Sequence, residues 1–596
     1  MNLKYRAEID GLRALAVVPV ILFHAGIELF SGGFVGVDVF FVISGYLITT
    51  ILIEDIENKR FSIINFYERR ARRILPALFF VMLVCIPFAW MWMLPDPLEN
   101  FGQSLVATTL FSNNILLTTT EADYWAVKAI YKPLLHTWSL GVEEQYYLVF
   151  PVFLILAWRF GQNSVFWMIV VMSAGSLLMS EWGWRNSTTA NFYLTPTRAW
   201  ELFAGSIAAF VTQKQGVQKN NLLALIGLAA IIFSILIFDE AMPVPSLYST
   251  VPVIGAVLLV LFANKDTFAA RLLSTKVFVG IGLISYSAYL WHQPLISFFK
   301  IYSRNQVENL EPWVLVFTTI CLSYLTWRFI EQPFRKGATI SSSLFVALIL
   351  SIALGLIAIG AYFHVSNGAP ERMFSDESYK RSTHEINVAK VTRHDFRRLS
   401  GNIDKHIEFL IYGDSFAADV AYLAKYRDPS VKLALMSSDP SPQNEICRDN
   451  ILSEVGRLGV KNVIFAYDEG FDISCINEIL VSATKKDIDI LFIGTKQFGL
   501  NLNWLSRLGI DEREALCQQP SAEKVEFDIR DEKRIPEKHY FSFFRTYSKN
   551  NCFPITNSLG ELLSSDRQHF TISGVEYFSG KFFENDNVRR VFDTEN

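Results

Sequence analysis

Apolar residues run along this chain in two different rhythms. Over residues 1–364 they form long, nearly continuous stretches broken by short polar and basic segments. A membrane-crossing helix needs roughly 20 such residues. Eleven stretches approach that length: 12–29, 35–56, 74–94, 141–160, 165–180, 197–213, 222–239, 249–263, 278–299, 313–331 and 344–364. The stretch 101–118 is a further candidate, as an extra or re-entrant segment. Residues 365–400 are polar and without period, as expected of a linker. From about 405 short apolar runs at 407–413, 431–438, 462–468 and 489–495 alternate with helix-like stretches. That alternation is the signature of an α/β domain with a parallel sheet.

Basic residues orient the helical part. With the N-terminus in the cytoplasm, sixteen Lys and Arg fall on the cytoplasmic side, among them Lys59, Arg60, Arg69, Arg70, Arg72 and Arg73. Six fall opposite, including Lys132, Arg185, Arg198 and Lys300. Such a bias sets topology, and eleven spans then leave the C-terminal domain outside. The charges Lys4, Arg6, Glu8, Asp10 and Arg13 and the lack of a small-x-small site mark the first apolar run as a retained helix rather than a cleaved signal. Cys447, Cys475, Cys517 and Cys552 lie in the polar part, an even set that suits an oxidising compartment and allows three pairings. A composition 51% hydrophobic fits a membrane protein, and a net charge of -4 gives no sign of a nucleic-acid partner.

Ionisable residues within apolar runs are costly and need a partner or a task. Arg13 and His24 are eleven residues apart, which places them on one helix face about 16 Å apart along the axis. That stripe suits a long donor with phosphates at one end, held by Arg13, and a thioester at the other, beside His24 as general base. A buried histidine satisfied by a neighbouring helix is the competing expectation. Asp38 lies in GVDVFFVISGY (36–46), where it can orient His24 or pair with an arginine. In ERRARR (68–73), Arg69 with Arg72 and Arg70 with Arg73 form two pairs that each share a face. They can fork onto phosphate or simply set topology. Glu143 and Glu144 in HTWSLGVEEQYY (136–147) are candidates for acceptor binding or acid–base work, or for interfacial carboxylates facing water.

These segments, followed by SYSAYLWHQPL (285–295) and RFIEQPFRK (328–336), occur in the order typical of the acyltransferase-three membrane family, which the chain resembles over residues 1–336. The resemblance implies a bundle of about ten helices, here with one linking helix in 337–400. It also implies acylation of extracytoplasmic glycans with acetyl-CoA as donor substrate. Arg13, His24 and the arginines of 69–73 would be the working residues, with Glu143 or Glu144 beside them. His292 fills a position the family often fills, with packing as likely a role as any other.

In the outer part, GDSF (413–416) puts Ser415 between a strand end and a helix start, where backbone N–H groups can hold an oxyanion. Near the C-terminus DRQHFTISG (566–574) spaces Asp566 and His569 by three. Asp566 can then fix the histidine and His569 can take the serine proton. Over about 401–596 the chain resembles the SGNH hydrolase family, a three-layer α/β domain, with Ser415 as nucleophile. The oxyanion asparagine expected of that family is missing from GTKQFG (494–499), the strand end matched to it. Taken together, the expectation is an inner-membrane O-acyltransferase with a periplasmic α/β domain. It would act on a surface polysaccharide such as lipopolysaccharide O-antigen. No bound cofactor and no metal site are expected. An envelope carbohydrate esterase with a membrane anchor is the alternative.

Overall fold

The computed structural model describes residues 5–120, 129–303, 311–335, 341–374, 390–392, 407–437, 455, 460–468, 471, 473–499, 501–509 and 511–593. The chain divides into two compact units, one of residues 1–91 with 97–368 and one of residues 92–96 with 369–596.

The described residues of the first unit are mostly helical. Its helices are α1 (Ala7–His24), α2 (Gly36–Glu57), α3 (Ile63–Trp92), α4 (Pro95–Thr109), α5 (Asn113–Thr120), α6 (Thr137–Trp158), α7 (Gln162–Asn186), α8 (Thr188–Tyr193), α9 (Thr195–Gln215), α10 (Asn221–Ile237), α11 (Thr250–Phe262), α12 (Phe268–Leu273), α13 (Lys276–Tyr302), α14 (Glu311–Thr326), α15 (Gln332–Arg335) and α16 (Ser342–Val365). Each of the eleven apolar stretches coincides with one of these helices, α14 running on into a π-helical turn, Trp327–Glu331. Among the described residues, six helices are long and apolar enough to cross a membrane by length and composition: Gly33–Glu57, Ile63–Trp92, Thr137–Trp158, Gln162–Asn186, Glu311–Arg335 and Ser342–Val365. The stretch 101–118 is broken into α4 and α5 by a turn in which Phe111 takes φ 53°.

Small residues set how closely these helices pack. A Cβ on Gly45 of α2 would lie 1.9 Å from the Leu202 carbonyl oxygen of α9, and one on Gly205 of α9 would lie 2.0 Å from that of Val42. The two backbones touch through reciprocal glycines, the usual way for apolar helices to gain dispersion contact where lipid supplies no hydrophobic drive. Beside this crossing, Arg198 of α9 is buried. It donates to Asp38 of α2 and to Glu201, each at 2.9 Å, and its guanidinium lies 5.2 Å from the Trp138 ring. Arg198 is therefore not the loop charge counted toward the outer face from sequence. It opens a helix and is neutralised inside the bundle.

The second unit contains a six-stranded parallel sheet of β1 (Lys390–Thr392), β2 (Phe409–Gly413), β3 (Leu433–Ser437), β4 (Asn462–Ala466), β5 (Asp489–Ile493) and β7 (Tyr540–Phe541), in the order β1-β3-β2-β4-β5-β7. The four apolar runs read as strands are β2 to β5. Strands β2 and β4 are buried at every position, as strands covered on both faces must be. Strand β1 falls in the stretch read as linker. A two-stranded antiparallel pair, β6 (Cys517–Gln518) and β8 (Phe553–Pro554), sits apart from the sheet, and a Cys517–Cys552 disulfide bridges its ends. Of the other two cysteines in this part, Cys447 lies outside the described residues.

Candidate functional site

Helix geometry sorts the basic run of α3. Arg70 and Arg73 line a cavity of about 90 Å³, together with Arg13 of α1, Ser44 of α2, Ser139, Glu143 and Tyr147 of α6, and Tyr286 and Tyr289 of α13. Arg69 and Arg72 point elsewhere. Arg69 is half exposed and paired with Asp55 at 3.0 Å, while Arg72 pairs with Glu68 at 2.8 Å under the Phe345 ring. The split follows from the 100° step: residues three apart share a face and adjacent residues do not.

Glu143 is held in place. One carboxylate oxygen accepts from the Ser44 hydroxyl at 2.9 Å and the other from Tyr147 at 3.1 Å. Glu144, one step round the helix, is half-buried outside the cavity lining, with one carboxylate oxygen buried. Asp38 is likewise outside it, bound to Arg198. Apolar Phe40, Phe41, Leu47 and Ile48 complete the walls, so the cavity sets three guanidiniums, one carboxylate and several hydroxyls among apolar side chains.

His24 does not line the cavity itself. Its ring lies 5.1 Å from that of His292, which lies 5.2 Å from the ring of Tyr289, a cavity wall. Tyr289 donates to the His136 carbonyl oxygen at 2.8 Å and shares a 2.6 Å hydrogen bond with Ser139. One aromatic side chain thus stands between the arginine-lined cavity and the imidazoles. The His24 Nδ1 lies 2.9 Å from the Val20 carbonyl oxygen. A carbonyl only accepts, so Nδ1 carries the hydrogen and Nε2 keeps its lone pair.

In the second unit β2 delivers Gly413, and helix α17 (Ser415–Arg427) begins two residues later. A Cβ on Gly413 would lie 1.9 Å from the Ala466 carbonyl oxygen, so only glycine fits where β2 meets β4. Asp414 caps the helix by accepting from the Phe416 N–H at 2.9 Å. Ser415 Oγ is 2.6 Å from His569 Nε2, and His569 Nδ1 is 2.5 Å from Asp566 Oδ2. The other Asp566 oxygen accepts from the N–H groups of Gln568 and His569 at 3.0 and 2.9 Å. Arg567, at φ 83°, turns the chain so that both ends of the D-x-x-H segment face the serine.

Sheet order revises the expected oxyanion region. Strand β4, not β5, adjoins β2, so the end beside Ser415 carries Asp468 rather than GTKQFG. The Asp468 N–H donates to Asp414 Oδ2 at 2.9 Å. Burial pushes the Asp414 carboxyl up to about 7, with the neighbouring Asp468 charge adding to the effect. Burial also raises Asp468, but the Lys524 ammonium 2.7 Å away and its other hydrogen bonds outweigh this and hold it low. The end of β5 instead braces the site: Thr495 donates to Asp468, and Lys496, buried, pairs with Asp419 at 2.8 Å and donates to the Gln568 carbonyl.

Sequence reasoning left Ser44, Ser139, Tyr147, Tyr286 and Tyr289 without roles. A signal was present: Ser285, Tyr289 and His292 recur at i, i+4 and i+7 within an apolar helix.

A helical bundle with cations buried around an apolar slot is the setting of a membrane-embedded transferase, and comparison assigns the class. The acyltransferase domain family matches residues 6–328, more than half of the chain, and the chain belongs to that family. It is similar to the peptidoglycan O-acetyltransferase OatA of Listeria monocytogenes, 32% identical over 357 residues, which are 57% of this chain and 57% of that protein. It is also similar to the O-acetyltransferase OatA of Staphylococcus aureus, 31% identical over 350 residues, 56% of this chain and 58% of that protein. The chain thus spans somewhat over half the length of these relatives. No solved structure matches it significantly.

Proposed function

We propose that this protein is an inner-membrane O-acyltransferase that takes an acetyl group from cytoplasmic acetyl-CoA and places it on a hydroxyl of a cell-envelope glycan. The observation that carries this reading is the cavity shared by Arg13, Arg70 and Arg73 and walled by apolar side chains. Three guanidiniums fit the phosphates of coenzyme A, and the apolar walls fit its pantetheine arm. Beyond Tyr289, which stands between it and this cavity, His24 acts as base. Its bare Nε2 accepts the proton of the attacking hydroxyl, whose oxygen forms the new ester bond as the C–S bond breaks.

In the outer unit, which resembles an SGNH hydrolase, the Ser415–His569–Asp566 geometry supports a relay. As Ser415 Oγ attacks the carbonyl of an acyl group supplied by the membrane unit, His569 takes the serine proton and gives it to the carrier atom whose bond to the acyl carbon breaks; a sugar hydroxyl then attacks the Oγ ester, and its proton passes through His569 to Oγ as that ester bond breaks. Lipopolysaccharide O-antigen is the acceptor expected from the sequence, and the Listeria relative's name adds peptidoglycan as a second. The same triad also favours an anchored envelope esterase. Full-length protein incubated with labelled acetyl-CoA and envelope glycan separates them, because an esterase leaves the sugar unlabelled. Labelling at the parent rate by His24→Ala defeats the membrane step, and at the parent rate by Ser415→Ala defeats the relay. Mass spectrometry of envelope glycans from cells with and without the protein distinguishes the two acceptors.

A further inference from the structure

Three imidazoles meet inside the bundle. His24 comes from the end of α1, His136 from the residue before α6, and His292 from α13. The His292 ring is 5.1 Å from His24 and 5.3 Å from His136. His292 is fully buried. Its Nδ1 lies 2.6 Å from the Tyr289 carbonyl oxygen, which fixes the hydrogen on Nδ1. Nε2 therefore holds a lone pair, and among the described residues no hydrogen-bond donor meets it. A buried acceptor left unmatched is costly and rare. His24 is fixed in the same way by Val20. Two neighbouring imidazoles are each clamped by a carbonyl of their own helix, one turn back, and each presents a bare Nε2. Neither can donate to the other as they stand.

We propose that His292 is the proton partner of His24, a positioning residue for acyl transfer. The inference rests on the reading of His24 as the base. As the acceptor oxygen bonds to the thioester carbon, its proton moves to His24 Nε2. The new imidazolium N–H is shared with His292 Nε2. The C–S bond then breaks, and the proton passes to the thiolate sulfur, leaving both imidazoles neutral and a thiol as the leaving group. The orphaned Nε2 thereby gains its donor only while the proton is in transit, so the interaction is stronger during the reaction than before it. His136 closes the other side of His292, and its carbonyl anchors Tyr289.

The test uses the full chain in membrane vesicles from its own cells, following thiol release from acetyl-CoA. His292→Ala and His292→Gln are compared with the parent. Glutamine approximates the imidazole's size and keeps an acceptor oxygen but takes up no proton, so it carries the test if the alanine variant fails to accumulate. Both variants are expected to lose at least about tenfold in kcat, with the KM for acetyl-CoA unchanged. Parent-like kcat in either variant, or kcat and KM worsening together, overturns the proposal. His24→Ala is run alongside: if it is inactive while the His292 variants are normal, only this inference falls. If it works at the parent rate, the proposed function falls with it.

Discussion

Arg198 donates to Asp38 at 2.9 Å across 160 residues of sequence, and each side chain is only 2% exposed. The pair ties α9 to α2 beside their glycine crossing, which casts Asp38 as a structural partner. Removing one member of a buried ion pair leaves the other charge uncompensated, at a cost of about 3–5 kcal/mol. Arg198→Ala, which strands both Asp38 and Glu201, should sharply lower the yield and thermal stability of folded protein in detergent, and Asp38→Ala, which leaves Arg198 its 2.9 Å bond to Glu201, should lower them less. Folded Asp38→Asn should bind acetyl-CoA as the parent does. Parent-like stability with weakened donor binding would return Asp38 to the donor site.

The four arginines of α3 should separate into two phenotypes. Arg70→Ala and Arg73→Ala, which strip cations from the cavity, should raise the KM for acetyl-CoA at least about tenfold, as loss of a charged hydrogen bond does. Arg69→Ala loses only a solvent-screened pair with Asp55, worth about 0–1 kcal/mol. It should leave KM and stability near the parent. Donor kinetics on the three variants check this, and equal defects in all three would contradict the assignment of faces.

Ser415 should be unusually nucleophilic because His569 Nε2 stands 2.6 Å away. A fluorophosphonate probe should label the full chain at this serine. Labelling should vanish in Ser415→Ala and slow by about 10²–10⁴ in His569→Gln, the scale of a lost general base. Asp566→Asn should slow it as well, because an amide stabilises the wrong imidazole tautomer. Labelling indifferent to His569 would mean that the geometry does no chemistry.

Asp414 should make the second unit more stable in mild acid than in mild base. Its folded value is raised to about 7 from an ordinary 3.8, so between these pH values the native state binds more protons than the unfolded one. The stability this contributes is complete below about pH 4 and is lost as pH rises through about 7. Thermal unfolding of the full chain followed from pH 5 to 8 should show the second unit's midpoint falling. Asp414→Asn, which still caps the helix, should flatten that slope. An unchanged slope in the variant would show that another group is responsible.

Much of the architecture was legible because it is written in local periodicity. The runs 407–413 and 462–468 are too short and too uniformly apolar for an exposed helix, and they are buried strands. The D-x-x-H spacing already implied one turn, and Asp566 and His569 are found hydrogen-bonded within it. What escaped was tertiary. Nothing around Arg198 announces that its counter-ion lies 160 positions earlier. Nor does the sequence reveal that β4 rather than β5 neighbours β2, because strand order is settled by packing. Tyr289 was hidden for the same reason: a tyrosine in an apolar helix becomes a cavity wall only when α6 supplies Ser139.

The reciprocal contact of Gly45 and Gly205 leaves no slack between two backbones. Helices in such contact cannot slide or roll past one another without collision, so α2 and α9 behave as a single strut. On the proposed function a long donor enters and a thiol-bearing product leaves. The breathing that lets them through then falls to the other walls of the slot, α1, α3, α6 and α13, whose long side chains can yield where bare glycines cannot.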